Sequence, residues 1–351
     1  MSGIYLELLS FLMTYRVTPK KILRVVEEAG EYPKNNLEYI APETVRVAAV
    51  QLNIHPYTGV REYVGEMLGH ARAAAEAGAQ MVVYPEYVGL LAGTMIPGFD
   101  RLLNKVVAER FSKDGRIVLH PDQVAAYAEA FGEYLQEAYF YTFSAIARSQ
   151  HLYVVAGSCP YYEEGQIYNR SMVFDPLGNT AGTQDKTSAL GLDEALGVTV
   201  SDQMEIVETP MGKVAVVLGS DAYYFECFRI ARQKGARIVA VPDAGGGPVM
   251  HDLLRCRAQQ EGLYLLHACL TGEQQKSRAA ILAPFDITPD RNGILSMLET
   301  HEPNMTASRI NLQKLENLFH ESEPNRAFLT GDYLRSYRYS GMVLTPPELP
   351  G

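Results

Sequence analysis

The chain has 351 residues, 47% of them apolar and 21% charged, which suits a large buried core in one large domain or two modest ones and excludes general disorder. A formal net charge of -10 argues against a nucleic-acid surface, and no Lys/Arg cluster makes a local exception, so small molecules or other proteins are the expected partners. Cys159, Cys227, Cys256 and Cys269 form no Cys-x-x-Cys pair and have no His at zinc spacing, so reduced thiols, a cytosolic setting, no metal and no cofactor are expected.

The first apolar run, Ile4 to Met13, is interrupted by Glu7, follows no basic residue and precedes no small-residue cleavage site. It predicts a short amphipathic helix rather than a signal peptide. No run reaches membrane-spanning length, and no membrane contact is expected. Thr18-Pro19 reads as an N-cap and first helical position for a second helix, Lys20 to Ala29, stopped by Gly30. Residues 1–44 are thus expected to form a helical extension that packs on the main body or on a neighbouring subunit.

Val47 to Leu52 predicts a strand, and Val60, Val64, Met67, Leu68 and Ala71 then recur at helical spacing before a second strand, Met81 to Tyr84. Pro121 opens a long helix over Asp122 to Ser149. Asp175-Pro-Leu-Gly-Asn179 is a hairpin-like turn leading back towards Lys186. Val214 to Leu218 is short, apolar and β-branched, as a parallel strand buried on both faces requires, and Gly219-Ser-Asp221 turns it into a helical segment. Phe228 to Lys234 crosses over to Ile238 to Val241. Gly245-Gly-Gly-Pro248 lacks phosphate-cradle spacing and predicts a flexible strand-end loop, and His251-Asp252 reads as a helix start rather than a catalytic relay. The last segment, residues 313–351, carries Tyr333, Arg335, Tyr337, Arg338 and Tyr339, a composition suited to a subunit contact or to packing on its own body.

Two segments nearly repeat. Gly78-Ala-Gln-Met-Val-Val-Tyr-Pro-Glu86 parallels Gly235-Ala-Arg-Ile-Val-Ala-Val-Pro-Asp243, and each follows a strand and a helix. Right-handed crossovers place the carboxyl ends of these parallel strands on one edge, so Glu86, Gly219 and Asp243 should face a common crevice.

The strand-elbow-helix at Lys213 to Glu226 resembles the nitrilase superfamily of carbon-nitrogen hydrolases. The resemblance extends over roughly residues 45 to 310, through Val45-Arg-Val-Ala-Ala-Val-Gln-Leu-Asn53, Val82-Val-Tyr-Pro-Glu86, Gly182-Thr-Gln-Asp-Lys186 and Arg257 to Tyr264. It implies an α/β fold, a four-layer αββα sandwich over residues 45–312, built from the two similar halves. It also implies that Glu86 is a general base, that Lys186 stabilises a tetrahedral intermediate, and that the elbow carries a nucleophilic Cys. Here the elbow departs from the pattern: Gly219 replaces the Cys, Ser220 the following aromatic and Phe225 a Pro, while Asp221 and Glu226 keep the acids. Glu261 replaces a usual Asn. The family's further structural glutamate has no clear counterpart, since Glu163 and Glu164 are out of register.

Each of these residues also has an ordinary reading. Glu86 can be a strand-end carboxylate reaching solvent, Lys186 a surface charge, and a Glu86–Lys186 pair can be structural without turnover. Ser220, next to Gly219, should aim to the opposite face, and Cys227 should pack on the helix interior. A third option places a water beside Gly219, activated by Glu86. The expectation is a hydrolase-like protein with a small amide or ureido ligand, bound near Ser220, Asp221 and Tyr223, whose standard Cys-dependent chemistry is lost or altered. The alternatives are an active amidohydrolase using Glu86 and Lys186, or an enzyme inactivated by substitution at Gly219. A homo-oligomer is expected.

Overall fold

The computed structural model describes residues 17–33, 40–95, 121–272 and 276–320. The apolar run at residues 4–13 and the aromatic, cationic tail at residues 333–339 lie outside them. Helix α1 (Pro19–Ala29) begins as its sequence dictates: extended Thr18 accepts the Lys21 N–H through its hydroxyl at 3.3 Å, and Gly30 ends the helix at φ 77°. Its Ile22 and Val26 are buried.

The first strand-helix-strand unit is β1 (Val45–Asn53), α2 (Val60–Glu76) and β2 (Met81–Val83); a single turn, α3 (Val88–Leu91), and the long α4 (Pro121–Gln150) follow. Strands β3 (Tyr153–Val155), β4 (Cys159–Glu163), β5 (Gln166–Phe174) and β6 (Thr180–Asp185) lead to the short α5 (Leu192–Leu196). The second unit follows β7 (Ile206–Thr209): β8 (Gly212–Val216), α6 (Phe225–Gln233) and β9 (Ile238–Asp243). The chain then runs through α7 (Gly247–Glu261), β10 (Tyr264–Thr271), β11 (Ala280–Leu282), β12 (Ile294–Met297), β13 (Asn304–Ile310) and α8 (Leu312–His320).

Both repeated units close as parallel pairs, Val47 opposite Met81 in β1–β2 and Val214 opposite Ile238 in β8–β9. The strand order β4-β5-β3-β2-β1-β10-β9-β8-β7 joins the halves through β1 and β10, which pair only at their carboxyl ends, Gln51 to Asn53 against Cys269 to Thr271. Nearer their amino ends the two strands take different partners, β13 on β1 and β11 on β10, so the halves diverge into two facing layers.

Side-chain alternation shows the layering. Val45, Val47 and Ala49 of β1 share an apolar cluster with Val214, Val216, Ile238 and Ala240, which fills the space between the sheets. Ala48, Val50 and Leu52 point the other way, onto α1, α2 and α4, while Val239 and Val241 meet Phe228 of α6 and Leu254 of α7. The result is the expected α-β-β-α sandwich. One local expectation fails: the triple glycine is not only a loop, because α7 starts at Gly247 with Pro248 in its first turn, four residues ahead of His251. Among the described residues no helix is long and apolar enough to cross a membrane.

Candidate functional site

Glu86 follows β2 and the stiff Pro85, and the backbone just beyond it is unusual. Tyr87 is a buried, bulky residue in the left-handed region at φ 62°, a conformation that persists only where its surroundings enforce it. Those surroundings are a Tyr87 N–H donated to Ser158 Oγ at 2.9 Å and a Tyr87 hydroxyl donated to Asp193 Oδ1. Gly157 makes the approach possible, since a Cβ there would lie 1.9 Å from the Pro85 carbonyl oxygen.

Lys186 comes from the end of β6 and is 1% exposed. Its ammonium donates to Glu86 Oε1 at 2.6 Å and to the Leu218 carbonyl at 3.1 Å, and lies 3.2 Å from Asp193 Oδ2. Those three acceptors match its three N–H donors. Asn169 of β5 donates to both carboxylates, at 3.0 Å to Glu86 Oε1 and 3.1 Å to Asp193 Oδ1, and the Ala244 N–H reaches Glu86 Oε2 at 3.2 Å. Three separate segments therefore meet on one buried carboxyl group.

Gly219 completes the cluster through the space it leaves. A Cβ on it would lie 2.1 Å from Glu86 Oε2 and 2.7 Å from Glu86 Cδ, and its φ of 43° suits glycine. The Glu86 carboxylate itself occupies the place where the sequence reading put a water. Next along the turn, Ser220 is half-buried with Oγ 3.4 Å from Ser188 Oγ; it belongs to the adjoining Ser188–Asp221 group. Asp221 accepts the Ser188 hydroxyl at 2.6 Å and the Thr187 N–H at 3.0 Å, which ties the elbow to the lysine strand. Tyr223 is 45% exposed, and its carbonyl accepts from Arg257 at 3.1 Å; no contact brings its side chain to the cluster among the described residues. Cys227 is buried beside Thr187, and burial pushes its thiol pKa up, as befits an inert packing residue.

The electrostatics follow from burial. Loss of solvent raises the Glu86 pKa, the Lys186 ammonium opposes that, and the neighbouring Asp193 and Asp243 reinforce it, leaving it at about 7. Burial also works against the Lys186 charge, but Glu86, Asp193 and Asp221 outweigh it, so the ammonium is held above its ordinary range. A persistent cation beside a carboxyl that titrates near neutrality is chemically able to exchange protons with a bound molecule. Among the described residues no group of three His, Cys, Asp or Glu side chains could hold a metal.

Sequence reasoning brought Glu86, Lys186 and Gly219 together and missed Asp193 and Asn169. The two candidates for a further acid lie elsewhere: Glu163 pairs with Arg170 at 2.7 Å, and Glu164 sits exposed in the β4–β5 turn. The second carboxylate instead comes from α5, after Gly191, where no local pattern announces it. Glu261 is a tie between helices, taking Arg229 in two hydrogen bonds at 2.7 and 2.9 Å.

The comparisons with known proteins agree with this architecture. Solved structures with a similar fold include a nitrilase-superfamily amidase from Nesterenkonia, crystallised as a cysteine-to-serine mutant, with a TM-score of 0.57 at 20% identity over 79% of this chain and 95% of that one. The C. elegans NitFhit protein gives a TM-score of 0.60 at 16% identity, over 85% of this chain and 66% of its own. In sequence, the probable hydrolase YhcX of Bacillus subtilis is 23% identical over 286 residues, 74% of this chain and 50% of the relative. The omega-amidase NIT2 of Bos taurus is 25% identical over 250 residues, 68% of this chain and 78% of that protein. The chain spans about half the length of the first curated relatives it matches. Residues 46–296 match the family model described as carbon-nitrogen hydrolase, and with that match the chain belongs to the carbon-nitrogen hydrolase family.

Proposed function

We propose that this is a carbon-nitrogen-hydrolase-like protein that takes a small amide or ureido molecule beside Glu86 and Lys186, and that Cys-dependent amidase chemistry is lost or altered in it. The observation that carries this reading is Oε2 of Glu86 against Gly219: the elbow bears no side chain at position 219, and the base occupies the place one would need. Covalent catalysis splits a difficult acyl transfer into two easier steps, and that route requires a side-chain nucleophile at the reacting carbon. In a glutamate-to-leucine mutant of the Nesterenkonia amidase, by contrast, the acetamide moiety of fluoroacetamide adds covalently to the active-site cysteine.

The retained Glu86–Lys186 pair supports recognition of a planar amide. A carboxyl near its midpoint can accept from an amide N–H, and the ammonium can donate to a carbonyl once it releases Leu218 O. A water-activating amidohydrolase is the weaker reading, because the carboxylate rather than open space adjoins Gly219.

The test measures ammonia release over a panel of small amides and ureido compounds, together with ligand-induced changes in Tm. Binding without turnover, lost in Glu86→Ala, is the expected result. An acyl adduct on the unmodified chain by mass spectrometry would sink the proposal, and ammonia release without one would favour the water-activating reading.

A further inference from the structure

His267 is wholly buried in β10, and its Nε2 lies 3.1 Å from Asp243 Oδ2 at the end of β9. The Asp243 carboxylate also accepts the Gly246 N–H through both oxygens, at 3.0 and 2.8 Å. An ionised carboxylate only accepts, so the ring proton belongs on Nε2 and the neutral ring presents Nδ1 as an acceptor. Among the described residues nothing meets that Nδ1.

His251 of α7 faces the same place. Its ring centroid is 6.4 Å from that of His267, and its Nε2 is likewise buried without a partner among the described residues. Burying such a group unmet is costly, and two on neighbouring elements mark a polar site rather than a packing accident. With the ring centroids 6.4 Å apart, the nitrogens lie beyond direct hydrogen-bond reach, a gap that one oxygen spans where the two nitrogens face each other.

We propose that one water molecule bridges His267 Nδ1 and His251 Nε2, and that Asp243, His267, this water and His251 form a proton relay from the end of β9 to the outer side of α7. In the transfer, a water O–H bond breaks as an N–H bond forms at His267 Nδ1. The oxygen recovers a proton from His251 Nε2, and solvent supplies one to His251 Nδ1. One proton enters, His251 changes tautomer, and His267 becomes an imidazolium against the Asp243 carboxylate. His251 is only part buried, which gives solvent access to the outer end.

Geometry places the inner end beside Glu86, since Ala244, the residue after Asp243, donates its N–H to Glu86 Oε2. The charged and titratable neighbours are Glu86, Cys269 on β10, Asp252 and Arg255 on α7, and Arg278 before β11. Burial first, then His267 and the two arginines, lower the His251 pKa to about 4, so His251 passes protons on rather than storing them. A proton delivered to His267 offsets the Asp243 charge and thereby favours the ionised form of Glu86.

The test uses the full chain with nitrogen-15-labelled histidine. The expected spectrum shows His267 as its Nε2–H tautomer, and a high-resolution crystal structure shows one water between the rings. Proton exchange at His267 should slow at least about tenfold in His251→Phe, which removes the bridge, with the amides of Leu266 and Ala268 reporting that β10 stays intact. His251→Gln can hold the water but cannot change tautomer, so it too should slow exchange, and it carries the test if the Phe variant fails to fold. Unchanged exchange in either folded variant, the opposite His267 tautomer, or a side chain in place of the water would overturn the relay.

Discussion

Oε2 of Glu86 and the Cα of Gly219 share a space too small for one more carbon: a Cβ on Gly219 would come within 2.1 Å of that oxygen. The carboxylate has little freedom to withdraw, because Lys186, Asn169 and the Ala244 N–H hold it from three directions. The glycine and the position of the base are therefore coupled.

The coupling predicts the outcome of Gly219→Ala. At φ 43° a non-glycine residue costs about 1–2 kcal/mol, and displacing Glu86 brings the total loss to roughly 2–4 kcal/mol. In a Glu86→Ala background the steric part should vanish and only the backbone part remain. Urea unfolding of the four proteins in this cycle checks it; additive losses would mean that the two residues do not meet.

Lys186→Met removes the cation paired with Glu86 and Asp193, each 3% exposed. Stranding buried charge on one side of such a pair costs about 3–5 kcal/mol, and protonation of Glu86 relieves part of it. Lys186 lowers the Glu86 pKa, so in the variant the carboxyl takes its proton at a pH above 7; the loss should be largest at alkaline pH and shrink as the pH falls towards 7. A loss independent of pH would separate Lys186 from the Glu86 ionisation.

Glu86 itself should write a pH signature into the stability. Its pKa rises from 4.5 to about 7 on folding, so the folded chain holds the proton more tightly than the unfolded one. The stability this contributes is full below pH 4.5 and is lost as the pH climbs through 7. Relative to Glu86→Gln, the unmodified chain should lose roughly 3 kcal/mol across that window. Parallel stability curves for the two proteins would show that the carboxyl does not titrate there.

The legibility of the chain differed between its levels. Alternating apolar strands and the Gly-Ala-x-x-Val repeat made both strand-helix-strand halves readable, because burial on two faces leaves a continuous aliphatic run. Glu86 was readable in part from its place at a strand end, and Lys186 only through the family resemblance. Asp193 was not, since it belongs to a five-residue helix whose relation to Lys186 arises only through the path of the intervening loop. Asn169 was hidden for another reason: on a strand of mixed burial such as β5, an inward polar residue looks like an outward one. Tyr223 was placed with the site because it is close in sequence to Gly219, yet the 3₁₀ turn leaves it 45% exposed.

Gly157 tests how far the site depends on backbone contact. A Cβ there would lie 1.9 Å from the Pro85 carbonyl oxygen and 2.9 Å from Val88 Cγ1, at φ 69°. The Pro85 carbonyl just before Glu86 is backbone and cannot yield as a side-chain end can, so Gly157→Ala must push β2 and the strand β3 apart where they carry the carboxylate. Gly165 supplies the control: its φ is 79°, but nothing lies within 4 Å of its would-be Cβ, so Gly165→Ala should incur only the backbone cost of about 1–2 kcal/mol. Gly157→Ala should lose at least about 3 kcal/mol and also change the pH dependence assigned to Glu86, which the Gly165 variant should leave alone. Similar losses in urea unfolding for the two variants would mean that the Pro85–Gly157 contact does not hold Glu86 in place.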